Sequence, residues 1–533
     1  MVALTVTWQI RACDHRTVDR YDAVIVGSGP NALVAAALLG RAGWRVLVLE
    51  RSSVAGGAVH SAQLTVPGYI HDTYSAFYGM LHASPVFHQL ELDRRVGWAQ
   101  FPVPVAAATG PERAARICLD ARSTADDLAL RQPADADAWL ELCQWWQRAG
   151  HRFLDLALGP IGSPGPAARF VAAHGLRALP DLARMLVQPM EALARHRFAR
   201  PEAQALLASG ISHTDVGVDQ PGSVPAALIL AMVAQAQGMP VPIGGAGRLA
   251  QALARAVTDA GGRIRTDSEV TRIVLEKGHA VGVETADGGS ASARRAVLAD
   301  TGPSTLFTRL VDPTVLPPRY LDGLRQFRYG TGVFKLDLAL DGPVPWQAPG
   351  LADCGVVHLT GDLDNMAEAA FEARRGRLPT HPMLIVGQQS TADPTRAPTG
   401  CHTLWVETHV PPIPRDSGTW TGSARERFLE RVLDRLESHA PGLRSRIVGT
   451  AVRTPDDLAA ENPNLVGGDL GAGSVALDQQ LVLRPVPGWF RYATPVRGLY
   501  LCSASAHPGG GVHGMVGRNC AQRVLADARL HRI

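Results

Sequence analysis

The chain has 533 residues, 46% of them hydrophobic, with 52 basic and 49 acidic side chains and a formal net charge of +3. That length exceeds one ordinary core and suggests roughly three or four domain-sized units. The apolar content excludes a disordered chain, and the near balance of charge excludes an electrostatic footprint for nucleic acid. Seven cysteines (13, 118, 143, 354, 401, 502 and 520) are scattered without a CxxC pair, which reads as free or buried thiols in a reducing compartment. No run of 18 apolar residues occurs, and residues 1–20 lack the basic-then-apolar layout of a secretion signal. The expected address is cytoplasmic, with residues 1–20 an extension before the first strand.

Tyr21-Asp-Ala-Val-Ile-Val-Gly-Ser-Gly-Pro-Asn-Ala32 reads as an apolar strand, a glycine turn and a helix start, and Val46-Leu-Val-Leu-Glu50 as a second strand closed by an acid. Gly27 permits a tight turn, and Gly29 lets the backbone approach a pyrophosphate. The helix opening at Asn31 turns free N–H groups and the positive end of its dipole toward the phosphates. Glu50 follows Gly27 by 23 residues, near the spacing at which an acid accepts hydrogen bonds from ribose hydroxyls. Strand, turn, helix, strand and acid in this order hold an adenine dinucleotide. Ala32 replaces the third glycine and still allows close helix–strand packing. The Gly56-Gly57 pair soon after Glu50 lets backbone pass close to a diphosphate or sugar.

Residues 125–210 read as helical, with Trp139, Leu142, Trp145 and Trp146 at core spacing, broken at Gly159-Pro-Ile-Gly-Ser-Pro-Gly-Pro166. The following segment mixes apolar residues with arginines. It reads first as a lid packed on its own domain and second as a lid touching a membrane surface across 160–200. A helix over 249–260 ends at Gly261-Gly262. Strands at 263–266, 269–275 and 280–285 follow, with a hairpin signal at Asp287-Gly-Gly and a short strand Ala296-Val-Leu-Ala-Asp300. Gly332–Leu340, Met383–Gly387 and Thr403–His409 read as strands with one face buried, followed by a helix near 424–438. Gly498-Leu-Tyr-Leu-Cys502 is a further strand, running into Ser503-Ala-Ser-Ala-His-Pro-Gly-Gly-Gly-Val-His-Gly and a closing helix from about 515. The N-terminus of that helix offers N–H groups to a carbonyl or an anionic ring.

Together these blocks resemble the FAD-dependent phytoene desaturase-like branch of the flavin amine oxidase superfamily. The matching text is Val24-Ile-Val-Gly-Ser-Gly-Pro-Asn-Ala-Leu-Val-Ala-Ala, Leu49-Glu-Arg with Gly56-Gly57, Arg484-Pro-Val-Pro-Gly, Tyr492-Ala-Thr-Pro-Val-Arg-Gly-Leu-Tyr-Leu-Cys and His507-Pro-Gly-Gly-Gly-Val. The resemblance spans about 20–533 and is weakest in the middle helical region. It implies an α/β fold: a Rossmann-type FAD-binding domain, an interleaved mixed-sheet substrate domain and a helical lid. The implied layout begins with an extension (1–20), a first FAD-binding segment (21–90) and a substrate-side helical lid region (91–235). A second FAD-binding segment (236–304), a substrate-binding sheet domain (305–460) and a third FAD-binding segment (461–533) complete it. Carried over by position, Gly27, Ser28, Gly29, Pro30 and Asn31 line the FAD diphosphate. Glu50 and Arg51 flank the adenosine ribose, and Gly56, Gly57 and Ala58 the ribityl or diphosphate side. Val270 meets the adenine, and Ser503, Gly511 and Val512 lie by the isoalloxazine. Ser503-Ala-Ser stands where many flavoproteins have a Gly-Asp that binds ribityl.

The implied reaction is desaturation of a C–C bond in an apolar polyene, lipid-like or polyketide-type molecule. It needs a hydride aimed at flavin N5 and a proton lost from the neighbouring carbon. His507 and His513 are candidates to move that proton, against a reading as loop histidines bonded to backbone. Tyr74 is a candidate to shape the site, against a core role. Lys335 and Arg518 pair with flavin or substrate, or form structural ion pairs. No metal spacing and no nucleophile triad appear. A flavin isomerase, an amine oxidase and a non-enzymatic flavin-binding assembly factor are the alternatives, and the electron acceptor is left open among oxygen, a quinone and a redox protein.

Overall fold

The computed structural model describes residues 20–162, 164–176 and 179–533; the expected extension over 1–20 lies outside them except for Arg20. A first seven-stranded sheet gathers strands from both ends and the middle of the chain. Arg20–Val26 lies parallel between Val46–Leu49 and Ser290–Ala299. Arg263–Arg265 joins outside Val46–Leu49, and Leu499–Leu501 pairs with the last residues of Ser290–Ala299. Ala23 to Val26 and Val46 to Leu49 are almost wholly buried, as strands of a parallel sheet covered on both faces must be. The helix Pro30–Arg41 packs against both Gly247–Asp259 and the closing helix Met515–Arg529. The hairpin Val270–Glu276 and His279–Thr285 pairs with the first residues of Ser290–Ala299. The strand expected at 296–300 is therefore the end of a ten-residue strand. Its earlier half alternates Ser and Arg with Ala and is half exposed, which hides the apolar signal.

The second seven-stranded sheet runs in the order Ile447–Arg453, Gly332–Leu340, His402–Val410, Leu384–Gly387, Cys354–Leu359, Val103–Gly110 and Arg113–Ile117. The last two come from 91–235, the stretch read as a helical lid region. An alanine run in Val103–Gly110 carries little strand signal, and its parallel partner Cys354–Leu359 lies far along the chain. One face of this sheet presents Phe334, Leu336, Leu338, Leu404 and Val406 to Phe428, Val432 and Leu436 of the helix Ser423–His439. The other face, with Lys335, Asp337, Trp405 and Glu407 in phase along their strands, turns inward.

The helical region contains Pro133–Leu158, where Trp139 and Leu142 are buried and Trp145 and Trp146 half-buried. The break falls where expected: the helix ends at Leu158 and the next begins at Pro164, the first-turn position that tolerates proline. None of the residues of Leu179–Val187 is buried. Among the described residues no helix is long and apolar enough to cross a membrane.

Candidate functional site

Three loops meet at the start of the helix Pro30–Arg41. Gly57 adopts φ +55°, and a Cβ there would stand 3.0 Å from Gly29 Cα. A Cβ on Gly517, in the first turn of the closing helix, would stand 2.1 Å from the carbonyl oxygen of Asn31. The three segments thus touch backbone to backbone, which only glycine allows. Asn31 Oδ1 also accepts a hydrogen bond from Gly517 N at 3.4 Å. Pro30 fills the first helical position, where its missing N–H costs nothing.

Glu50 is buried beside this turn. Its Oε2 accepts from Ser28 N at 3.0 Å and from Ser28 Oγ at 2.6 Å, and its Oε1 from Ser52 N at 2.8 Å. Ser28 in turn accepts from Gly56 N, at Oγ (3.2 Å) and at its carbonyl (3.1 Å), so the turn, the acid and the Gly-Gly loop form one network. Asp300, read from the sequence only as the end of a strand, accepts from the amides of Gly29 and Ala32. Burial, with Glu50 nearby, holds its carboxyl well above the usual range. Only the pairing of Ala299 with Val26 brings that acid to the helix end. Arg51 is exposed, and Ala58 is half-buried. Val270 is buried at the start of the hairpin in the same sheet.

The C-terminal loop closes over the network from the other side. Gly511 has φ +111° and Val512 φ +50°. A β-branched residue in the left-handed region stores strain of about 1–3 kcal/mol and persists only when its surroundings hold it. His507 Nε2 meets the Gly159 carbonyl oxygen at 3.0 Å, which selects the Nε2–H tautomer and leaves Nδ1 as an acceptor. Tyr492 Oη donates to the His507 carbonyl at 3.0 Å. His513 Nδ1 accepts from Met515 N at 3.0 Å, capping the closing helix. Burial pushes both histidines down to about 4, so both rings are neutral at pH 7 and each commits one nitrogen to backbone. Ser503 is buried, its Oγ accepting from Ser505 N at 3.3 Å.

Three polar atoms of this block, His507 Nδ1, Ser505 Oγ and Asn519 Oδ1, are buried without a partner. Each such atom costs about 1–3 kcal/mol unless something polar meets it. Orphan polar atoms beside a glycine-rich loop suit a ligand carrying hydroxyls, ring nitrogens and a diphosphate. Residues 33–525 match the model of the flavin containing amine oxidoreductases. The chain belongs to this family. It is a phytoene desaturase-like FAD oxidoreductase, and FAD is its cofactor.

Pyridine nucleotide-disulfide oxidoreductase domain-containing protein 2 of Rattus norvegicus is 30% identical over 96% of this chain and 94% of its own length. The phytoene desaturase (neurosporene-forming) of Cereibacter sphaeroides is 24% identical over 93% and 92%. A crystal structure of an oxidoreductase from Methanosarcina mazei shares the fold, with a TM-score of 0.62 at 18% identity over 95% of this chain and 99% of that one.

In this flavin oxidoreductase the inner face of the second sheet adjoins the Gly56-Gly57 loop. Tyr74 and Val333 share an apolar cluster against which Ala58 packs, and Trp405 Nε1 donates to the Tyr74 carbonyl at 3.0 Å. Tyr74 Oη donates to Glu461 Oε2 at 3.0 Å, and burial raises the phenol far above its ordinary range. Lys335 is fully buried and donates to both Asp337 oxygens at 2.6 Å; Arg453 joins Asp337 at 3.3 Å and Glu461 at 2.8 Å. Lys335 is thus in a structural ion pair, and Arg518 reaches Gln89 at 3.2 Å. Glu407 stands directly across from Lys335 in the antiparallel pair. Its Oε1 is buried without a partner, and burial pushes the carboxyl up to about 8 against the pull of Lys335. The strand alternation places Glu407 in phase with Trp405, but an acid at that phase reads as a solvated position until the sheet's inner face is seen to be covered.

Proposed function

We propose that this FAD-dependent oxidoreductase desaturates a C–C bond of an apolar polyene, lipid-like or polyketide-type small molecule. Bound FAD supplies the hydride acceptor at N5. In this reading Gly27, Ser28, Gly29, Pro30 and Asn31 hold its diphosphate, Glu50 and Arg51 its ribose, and Val270 the adenine. Gly56, Gly57 and Ala58 flank the ribityl side, and Ser503, Gly511 and Val512 the ring. His507 and His513 keep the ring loop in shape as neutral hydrogen-bonding groups, and Tyr74 braces the loop beneath it.

The observation that carries the reading is Glu407. Removing two hydrogens from adjacent carbons sends a hydride one way and a proton the other, so a base must face the second carbon. Hydride loss from a neutral amine needs no such base. Glu407 is a buried carboxyl with a free oxygen and a proton affinity close to the working pH, the condition at which a general base is most effective. Similarity to a phytoene desaturase over most of both chains supports the same substrate class. The exposed helix Leu179–Val187 is the proposed side of approach for a lipid-like substrate, at a membrane surface.

Anaerobic mixing of the FAD-loaded protein with polyenes and with small amines tests the proposal through bleaching of the flavin absorbance. Polyenes bleach it, amines do not, and Glu407→Gln slows bleaching by about 10²–10⁴-fold while FAD stays bound. The base must be ionised, so the rate constant climbs as pH rises through about 8. Bleaching by amines alone, at full rate in E407Q, sinks the proposal.

A further inference from the structure

Arg484, in the Arg484-Pro-Val-Pro-Gly segment, belongs neither to the cradle nor to proton transfer, yet it is 0% exposed. Its Nη1 donates to the carbonyls of Ser474 (2.9 Å) and Gly473 (3.4 Å), and its Nη2 to those of Ala504 (2.9 Å) and Ala472 (3.2 Å). Nε has no partner. No carboxylate among the described residues pairs with it. The acids whose fields reach it are Asp469 and Asp215, and both are engaged elsewhere. Asp469 accepts from the amides of Gly330, Gly471 and Gly473, and Asp215 from Ser474 Oγ and Val475 N. The Phe327 ring lies 5.9 Å away, and Tyr329 and His507 are its other titratable neighbours.

The cation lies directly behind the glycine loop. A Cβ on Gly509 would stand 3.8 Å from Arg484 Cζ, and one on Gly510 would stand 3.2 Å from the Gly471 carbonyl. Arg484 therefore joins two loops, 472–474 and 504–511, while keeping a full charge that carbonyl dipoles and the more distant Asp469 and Asp215 soften without a direct ion pair. Guanidinium retains its proton even when buried. In a low-dielectric interior such a charge favours any negative charge that forms nearby, and two-electron reduction places negative charge on a flavin ring.

We propose that Arg484 is a positioning residue with an electrostatic role. It clamps the loop 472–474 behind the flavin loop, and its charge raises the reduction potential of FAD. This rests on the reading of 503–513 as the ring-side loop. The test is the midpoint potential of the full chain loaded with FAD, equilibrated with a reference dye in mildly alkaline buffer, where the reduced ring is anionic, for wild type, Arg484→Gln and Arg484→Lys. Gln keeps donors for the carbonyls and loses the charge; Lys keeps the charge. R484Q is expected to shift the two-electron equilibrium at least tenfold toward oxidised FAD, about 30 mV more negative, with R484K between it and wild type. Equal potentials in the two variants, or loss of FAD from both, overturn the proposal and leave Arg484 a clamp alone. A wild-type chain that takes up no FAD overturns instead the loop assignment beneath it.

Discussion

Gly517→Ala sets helix propensity against packing at the seam of the cofactor cradle. Gly517 lies inside the helix Met515–Arg529, where alanine is favoured over glycine by about 1 kcal/mol. Propensity alone predicts a more stable protein. The added methyl, however, would stand 2.1 Å from the Asn31 carbonyl oxygen, 2.9 Å from its carbon and 3.0 Å from Asn31 Cα. All three are backbone atoms at the start of the helix Pro30–Arg41, held by the parallel sheet beneath, so they cannot rotate away. The closing helix must back off by roughly 1 Å, at the cost of about 1–3 kcal/mol that overpacking carries. That displacement opens the wall between the Asn31 turn and the Val512 loop, so the loss falls on FAD binding, weakened about 5–150-fold. The assay is FAD titration of the apoprotein by flavin fluorescence, with circular dichroism showing helix content retained. A G517A protein that binds FAD as tightly as wild type and melts no lower would refute the reasoning.

Tyr74→Phe removes one hydrogen bond to the partly exposed Glu461. It is expected to cost about 1 kcal/mol of stability and to leave anaerobic flavin reduction within a few-fold of wild type; a hundredfold loss would make the phenol a participant in the chemistry. His507 and His513 titrate near 4 in the fold and at 6.5 when unfolded. Their folded pKa is depressed, so the neutral rings stabilise the loop fully above pH 6.5, and that contribution is lost as pH falls from 6.5 toward 4. Each histidine contributes up to about 1.4 kcal/mol per pH unit in that window. FAD release should follow the same window, and His507→Gln with His513→Gln should flatten it; release independent of pH down to 4.5 would contradict the assignment.

The regions of this protein legible in the sequence are those where one local rule suffices. Gly27, Gly29 and Glu50 announce a dinucleotide turn because a tight turn, a close approach and a ribose acid each demand a residue type at a spacing. The strands Gly332–Leu340 and His402–Val410 stand out by their alternating or continuous apolar pattern, and the closing helix by its glycine entry. What stayed hidden depends on partners remote in the chain. Asp300 looks like the end of a strand until parallel pairing sets it beneath the first helix, and Val103–Gly110 is a weak strand until Cys354–Leu359 lies beside it. Glu407 is marked in the sequence only as part of the strand Thr403–His409, and Arg484 only as part of the matching Arg484-Pro-Val-Pro-Gly segment. Their unusual chemistry is produced wholly by burial, and burial belongs to the packed molecule: an ionisable group acquires its proton affinity from the solvent it loses and the charges brought near it. The local sequence therefore carried the pattern of a dinucleotide turn, and only the tertiary structure decided which ionisable groups are buried and in what charge state.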